Sequence, residues 1–350
     1  MKTHIGKNLL SKIDRLFDFS RFSKIAILTD QNIPKLLINK IEKSLNKEIA
    51  RIIIPAGENE KNIETVKKVW EEMFEAGLDR KSLLINLGGG VVCDVGGFTA
   101  STFMRGIEFL NIPTTLLAQI DAGVGGKTGI DFMDLKNGIG IFKNPMGVVI
   151  DVETLKTLPK RELVSAYGEI IKHAVISGQE HFDLVTSKKP EEFSQDELIE
   201  IIKQSIKIKL NIVKKDPKEK NLRKVLNFGH TIGHAIESLS WKTDKPLLHG
   251  EAVAIGMVAE SRIASYNCVS CTAMLSEKDF ELIKKVITNA GLPTKIKDIK
   301  SEDIMKIILN DKKNDRGKIN WSLPKRIGEV LVNINVREDL IIKAIKTIQI

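Results

Sequence analysis

The sequence predicts an α/β N-terminal domain with a parallel sheet, followed by a mostly α-helical C-terminal domain. In the first half of the 350-residue chain, short β-branched segments alternate with segments whose apolar residues recur at helical spacing. After about Asp151 the strand-like segments almost disappear and long helical patterns replace them. We therefore expect one domain over residues 1–155 and a second over residues 156–350.

The individual elements follow from these patterns in chain order. Runs rich in Ile, Val and Leu that end at polar or glycine residues predict strands at 24–30, 49–55, 82–89, 107–115 and 147–153. Apolar side chains that return every three or four residues predict crossover helices at 34–45 and 62–77. The same spacing predicts helices in the second half at 160–177, 195–216, 229–239, 250–267 and 276–291.

Composition argues against several classes of protein. The chain is 42% hydrophobic and 28% charged, and it contains no apolar run of the roughly 18 residues that cross a bilayer. The N-terminal residues lack the pattern of a signal peptide, so we expect a cytoplasmic protein without a membrane partner. The net charge of +9 is spread along the chain and aromatic residues are only 5%, so we expect no nucleic-acid partner.

The cysteines do not form a recognisable framework. The chain has three, Cys93, Cys268 and Cys271, which is too few for a disulfide-stabilised fold of this length. The spacing of Cys268 and Cys271 is that of half a zinc site or of a redox pair, but no second pair completes a four-ligand site. The sequence therefore assigns no role to them.

A glycine-rich junction follows the predicted strand at 82–89. Residues 88–101 read GGGVVCDVGGFTAS, which predicts a strand that passes directly into a helix. Glycines let the backbone approach a pyrophosphate, and the N–H groups at a helix start favour its charge. Cys93 stands where the dinucleotide motif G-x-G-x-x-G would have its third glycine, so a phosphate site and a tight structural turn both remain open.

Two further segments favour a ligand site. Asp30 ends the first predicted strand and Asn32 follows it, and open α/β sheets bind ligands at the carboxyl ends of strands. Residues 112–131 contain a second glycine cluster between Asp121 and Lys127. A P-loop requires glycine where Asp121 stands, so the sequence excludes a P-loop ATPase.

Candidate metal ligands lie in the helical half. His230 and His234 are four residues apart in a predicted helix and therefore share one face. Together with Glu169 and His249 they offer the three or so ligands that a catalytic metal needs. The zinc-protease motif H-E-x-x-H is excluded because Thr231 follows His230. Spacing alone leaves open whether both helix histidines bind metal or one has another role.

Four segments, 84–142, 168–173, 226–237 and 248–257, closely resemble the 3-dehydroquinate synthases. These are sugar phosphate cyclases related in fold to iron-dependent alcohol and glycerol dehydrogenases. The resemblance extends over nearly the whole chain, and it implies a Rossmann-like first domain within a dehydroquinate synthase-like fold. The chain departs from the family at Gly168, where alanine is common.

The resemblance implies specific site residues. For a zinc or cobalt ion the matching ligands are Glu169, His230 and His249. For NAD the matching positions are Asp30, Asn32, Glu58, Lys61, Gly89, Gly90, Val91, Asp94, Thr114, Thr115, Leu117, Lys136 and Thr157. For the substrate they are Arg105, Asp121, Lys127, Asn137, Lys172, Lys209, Glu219, Arg223, Asn227, His234 and either Lys312 or Lys313. Many of the substrate positions are basic, which suits a phosphate and a carboxylate.

The implied enzyme is a phosphate-eliminating carbon–oxygen lyase of the shikimate pathway, which leads to chorismate and the aromatic amino acids. It converts 3-deoxy-D-arabino-heptulosonate 7-phosphate to 3-dehydroquinate, and NAD is oxidant and reductant within one turnover. The resemblance also implies a homodimer. The alternatives are another sugar phosphate cyclase such as 2-deoxy-scyllo-inosose synthase, a metal-dependent polyol dehydrogenase, and a non-enzymatic cofactor-sensing module.

Overall fold

The computed structural model describes residues 2–133, 135–266, 275–314 and 319–350, with the backbone alone for 311–314. Cys268 and Cys271 lie outside the described residues, as do the side chains of Lys312 and Lys313. The chain divides into two compact units, the first ending at Leu158 and the second beginning at Pro159. Within the described ranges, no helix has the length and apolar character needed to cross a membrane.

The first unit is built on a parallel sheet. Its strands are β1 Lys2–Gly6, β2 Ile25–Asp30, β3 Ile49–Ile54, β4 Leu83–Gly88, β5 Glu108–Pro113 and β8 Gly147–Asp151. They lie in the order β1-β8-β5-β4-β2-β3, and each neighbouring pair is parallel. The helices of this unit are α1 Lys35–Leu45, α2 Ile63–Glu75 and α3 Gly90–Thr102. The predicted parallel sheet with crossover helices is confirmed.

Both faces of the sheet are covered. One buried cluster joins Ile27 and Ile85 of the strands to Ile41 of α1. On the opposite face, neighbouring strand residues pack in a second cluster with residues of α2 and α3 such as Met73 and Val92. Because parallel strands are buried on both sides, they read as continuous apolar runs in the sequence. This is why β4, which is buried at every position, was predictable.

Two elements of the first unit were not predicted. Strand β1 pairs with β8 at the edge of the sheet, although its sequence KTHIG has too few apolar residues to indicate a strand. The glycine cluster at 112–131 leads into an antiparallel hairpin of β6 Lys127–Phe132 and β7 Leu135–Phe142. Strand β7 is exposed at every position, so it lacks the alternation of buried and exposed residues that indicates a strand.

The second unit is mostly helical, as predicted. Its helices are α4 Lys160–Ser177, α5 Gln179–Thr186, α6 Gln195–Lys215, α7 His230–Ser240, α8 His249–Ser265, α9 Glu277–Asn289, α10 Ser301–Asn314 and α11 Glu338–Thr347. An antiparallel pair, β9 Trp321–Arg326 and β10 Glu329–Ile334, was not predicted. Helix α8 is almost wholly buried and packs against α4, α7, α9 and α11. It is therefore the central element of this unit.

Candidate active site

Glycines bring three helices of the second unit into backbone contact. A methyl group added to Gly250 at the start of α8 would overlap the carbonyl oxygen of Ser165 on α4. A methyl group on Gly256, further along α8, would overlap the carbonyl oxygen of Gly229, which precedes α7. Side chains at either position would separate the helices. The glycines thus allow residues of α4, α7 and α8 to meet at one point.

Three predicted metal ligands meet there. Glu169 lies on α4, while His230 and His249 are the first residues of α7 and α8. Glu169 Oε1 is 3.3 Å from His230 Nε2 and 3.5 Å from His249 Nε2. The Glu169 carboxylate is buried and forms an ion pair with Lys172, one helical turn later. One carboxylate and two imidazoles therefore converge from three helices.

The donor set fits a divalent cation. Neither carboxylate oxygen of Glu169 accepts a hydrogen bond of regular geometry from the described residues. The outer ring nitrogens of both histidines have partners: His230 Nδ1 lies 3.2 Å from the Phe228 carbonyl oxygen, and His249 Nδ1 lies 3.1 Å from Glu237 Oε2. These partners hold each Nε2 toward the common point, which is the usual arrangement around ligating histidines. Nitrogen and oxygen donors of this kind suit zinc or cobalt.

His234 also approaches this point. It is exposed, and its ring centre lies 4.9 Å from that of His230 and 5.8 Å from that of His249. One ligand atom from each of the three histidines lies within 4.8 Å of the other two, so a three-histidine set is a geometric alternative. The burial of Glu169 between two imidazoles favours the carboxylate as a ligand. The substrate role of His234 stays a prediction.

Charge interactions prepare the cluster for a cation. Burial by itself would raise the pKa of Glu169, but Lys172 and His230 outweigh it and hold that pKa well below its usual range. Burial and Lys172 lower the pKa of His230. Burial opposes the charging of His249, yet the Glu169 and Glu237 carboxylates raise its pKa to about 10. The shifted pKa values thus favour the carboxylate form of Glu169 and the neutral form of His230, which are the forms that ligate metals, whereas a metal at this cluster would have to displace a proton from His249.

Several predicted substrate residues lie in the same unit. Lys172, Lys209 and Arg223 are all buried, which is unusual for basic side chains. Arg223 lies in the turn Leu222–Asn227, where its Nη1 donates to the Pro217 carbonyl oxygen at 3.0 Å and its Nε is 3.8 Å from Glu219 Oε2. Asn227 Nδ2 donates to Glu219 Oε1 at 3.0 Å. This turn contacts both α4 and α6, the helices that carry Lys172 and Lys209.

Four other predicted substrate residues belong to the first unit. Asp121 lies in the π-helical turn Ala118–Ala122, and Lys127 begins β6. Arg105 and Asn137 have left-handed backbone angles, with φ of 72° and 53°. Such conformations are costly for residues other than glycine and are concentrated at functional sites. The Asn137 N–H donates to Asp131 Oδ1 at 2.6 Å, which holds this conformation.

Predicted NAD residues of the first unit form a charged cluster beside α3. Lys61 Nζ lies 2.6 Å from Asp94 Oδ2, and Lys136 Nζ lies 3.9 Å from Glu58 Oε1. Burial raises the pKa of Asp94 to about 6 despite the attraction of Lys61. Burial opposes the charge on Lys61, but Asp94 and Glu58 outweigh it and raise its pKa. The pair is therefore ionised on both sides near neutral pH.

The glycine junction lies beside further NAD positions. Gly89 precedes α3, and a methyl group on it would lie 3.2 Å from Thr115 Cγ2. The Thr114 N–H donates to the Gly88 carbonyl oxygen at 2.9 Å, which joins the two loops. The remaining predicted NAD positions lie at the ends of elements. At the end of β2, the Asn32 N–H donates to Asp30 Oδ1 at 2.8 Å. Gly90 and Val91 begin α3, Leu117 precedes the π-helical turn, and Thr157 ends the 3-10 turn Val152–Thr157.

Sequence reasoning missed three residues that support the cluster. Glu237 orients His249, and Glu260 accepts backbone hydrogen bonds at the start of α7. Arg161 on α4 donates twice to Glu251 in the first turn of α8, at 2.8 and 2.7 Å, and once to the Pro246 carbonyl oxygen. A signal existed for Glu260, because it is a carboxylate within the long apolar run of α8. The others depend on contacts between helices.

The comparison with known sequences decides the family. The 3-dehydroquinate synthase N-terminal family matches residues 51–165, and the 3-dehydroquinate synthase C-terminal family matches residues 166–314. The chain belongs to the 3-dehydroquinate synthase family. It is 45% identical over 334 residues to the 3-dehydroquinate synthase of Thermoanaerobacter sp. (strain X514), covering 93% of this chain and 91% of that protein.

Solved structures of related cyclases have the same fold. The 2-epi-5-epi-valiolone synthase of Streptomyces hygroscopicus subsp. jinggangensis 5008, solved with NAD+ and Zn2+, aligns with a TM-score of 0.87 at 26% identity, over 99% of this chain and 96% of that one. A 2-deoxy-scyllo-inosose synthase, solved with carbaglucose-6-phosphate, NAD+ and Co2+, aligns with a TM-score of 0.87 at 24% identity over the same shares. The predicted dehydroquinate synthase-like fold is confirmed.

Proposed function

We propose that this protein converts 3-deoxy-D-arabino-heptulosonate 7-phosphate to 3-dehydroquinate with release of phosphate. The observation that carries the proposal is the cluster of Glu169, His230 and His249 in a member of the 3-dehydroquinate synthase family. The buried basic residues of the same unit supply positive charge that can bind the phosphate and the carboxylate of the substrate. A neutral polyol substrate would not need this charge. This favours the synthase over a polyol dehydrogenase.

The cofactors of the proposal are NAD and a divalent metal, zinc or cobalt. When bound, the metal polarises a substrate hydroxyl, and NAD+ accepts hydride and returns it in the same turnover. The Glu169, His230 and His249 side chains hold the metal, and Lys61, Asp94 and the glycine junction hold NAD. The structure of the 2-epi-5-epi-valiolone synthase supports this set, since it was solved with NAD+ and Zn2+.

The basic side chains have two tasks in this reaction. Lys172, Lys209 and Arg223 orient the substrate through its anionic groups and neutralise the phosphate as it leaves. Glu219 and Asn227 hold Arg223 and its neighbourhood in position through the hydrogen bond and ion pair described above. His234, at the exposed side of the metal cluster, faces the substrate.

The direct test is product identification. The protein is incubated with NAD+, Co2+ and either the heptulosonate phosphate or a hexose phosphate, and phosphate and carbocycle are measured together. We expect dehydroquinate and phosphate from the heptulosonate alone. A carbocycle from the hexose phosphate would assign the protein to another cyclase activity, and lasting NADH accumulation would indicate a dehydrogenase.

We also propose a cytoplasmic homodimer. The β6–β7 hairpin supports a partner surface because it exposes large apolar side chains, among them Met133, Leu135 and Phe142, at 87, 62 and 73% of their full accessibility. Monomeric proteins rarely expose such patches together. Sedimentation equilibrium of the wild-type protein should give the mass of two chains, and the Met133→Glu variant should shift the equilibrium toward one. A wild-type monomer would contradict the proposal.

A further inference from the structure

Helix α7 begins without a capping side chain. Its first residue is His230, and the preceding Gly229, which has no side chain, adopts a left-handed φ of 82°. The first N–H groups of a helix have no acceptor within the helix, and Ser, Thr, Asp or Asn usually supplies one. No such residue fits at position 229, because a Cβ there would lie 2.5 Å from Met257 Cγ and 2.9 Å from the Val253 carbonyl oxygen of α8.

Helix α8 supplies the missing acceptor. Glu260 is fully buried, and its Oε2 accepts from the Gly229 N–H at 2.6 Å while its Oε1 accepts from the Ile232 N–H at 3.0 Å. The Thr231 N–H also bonds to this carboxylate. Burial raises the pKa of Glu260 to about 8, and these backbone hydrogen bonds oppose the rise. Both carboxyl oxygens therefore accept hydrogen bonds from the start of α7.

The residues that bind Glu260 flank a proposed metal ligand on both sides. Gly229 precedes His230, and Thr231 and Ile232 follow it, so the backbone of His230 is fixed at each end. The Phe228 carbonyl oxygen, which lies 3.2 Å from His230 Nδ1, belongs to the same short segment. A shift of this segment would move both the backbone of His230 and the partner that orients its ring.

We infer that Glu260 is a positioning residue for the metal site: its buried carboxylate caps α7 from α8 and thereby sets the place and orientation of His230. The inference rests on the proposed metal site. The Glu260 carboxylate bonds to the backbone N–H groups of Gly229, Thr231 and Ile232. Its effect passes through the backbone at 229–232.

The test compares Co2+ binding by the wild-type protein and the Glu260→Gln variant, without NAD or substrate. The amide has nearly the same shape, but its NH2 group must face a backbone N–H in place of an accepting oxygen. We expect the Co2+ dissociation constant to rise roughly 10–100-fold, as for loss of other groups that orient ligands, and the Co2+ absorption bands to shift. The matched control is Ile263→Val, a buried change one turn further along α8. It should lower the unfolding temperature and leave Co2+ affinity unchanged.

The outcomes separate the inference from the proposed function. Glu260→Gln with wild-type Co2+ affinity and spectrum would overturn the inference while leaving the metal site intact, and so would equal losses in both variants. A wild-type protein that binds no Co2+ would overturn the metal site and the inference with it.

Hydrogen exchange on the wild-type protein keeps the inference testable even if Glu260→Gln does not fold. The amides of Gly229 and Ile232 should exchange roughly 100-fold more slowly than those of Glu277 and Lys278 at the exposed start of α9. Equal exchange rates for the two pairs of amides would refute the capping of α7 by Glu260.

Discussion

Gly250→Ala tests whether the close crossing of α4 and α8 forms the metal site. The added methyl group would overlap the Ser165 carbonyl oxygen, which is backbone and cannot rotate away. The two helices must therefore move apart, and overpacking of this kind costs about 1–3 kcal/mol. For a unit of this size, that cost lowers the unfolding temperature by about 2–12 °C.

The same movement separates Glu169 from His249, whose facing atoms are 3.5 Å apart. Metal affinity should fall together with stability. The assay is calorimetric unfolding of the metal-free protein, followed by titration with Co2+ in competition with a chelator. Gly6→Ala is the matched control, because the atoms nearest to a methyl group there belong to the flexible Leu9 side chain and lie 3.5 Å or more away. It should change neither quantity by more than about 0.5 kcal/mol.

Unchanged Co2+ affinity in Gly250→Ala, despite a clear loss of stability, would refute the reasoning. It would mean that the ligands hold their places independently of the helix crossing. Unchanged stability would refute the packing argument itself.

Three other predictions concern the ligands and NAD. His230→Ala should weaken metal binding by more than the roughly 10–100-fold that is typical when a residue supporting a ligand is lost. His234→Ala should keep the metal and lose turnover. Equal loss of metal affinity in both variants would support the three-histidine set as the ligands. Glu237→Gln should weaken Co2+ binding about 10-fold, because the glutamine amide oxygen still accepts from His249 Nδ1 but carries no charge. A variant that binds Co2+ as tightly as the wild-type protein would contradict this prediction. NAD+ affinity should fall as pH drops through about 6, because protonated Asp94 loses its ion pair with Lys61. In binding titrations at several pH values, Asp94→Asn should abolish this pH dependence. A wild-type NAD+ affinity that does not change with pH would contradict the prediction.

Much of the fold follows from the sequence for an identifiable reason. Strands buried on both faces, such as β2 and β4, are continuous apolar runs between polar ends, and amphipathic helices such as α2 show one apolar face. These patterns are local. The pairing of β1 with β8 joins residues such as Thr3 and Val148 across most of the first unit, and no local pattern records it.

The candidate site, like the fold, was predictable from the sequence only in part. Helical spacing placed His230 and His234 on one face, and Glu169 and His249 were candidates by residue type. The family resemblance then selected Glu169, His230 and His249 as the ligands. The glycines of α8 were visible in the sequence, but their meaning depends on which backbone they touch. Glu237 was equally visible, yet only the packing of α7 on α8 shows that its carboxylate meets His249. Contacts between helices are thus the part that sequence patterns leave undetermined.

The proposed activity is most directly tested by turnover with limiting NAD+. With substrate in about tenfold excess over NAD+, a synthase regenerates its cofactor in each cycle. We predict that all of the heptulosonate phosphate is converted, that phosphate and dehydroquinate appear in equal amounts, and that no NADH remains at the end. A reaction that stops when the NAD+ is consumed, with NADH left in proportion to product, would contradict the account.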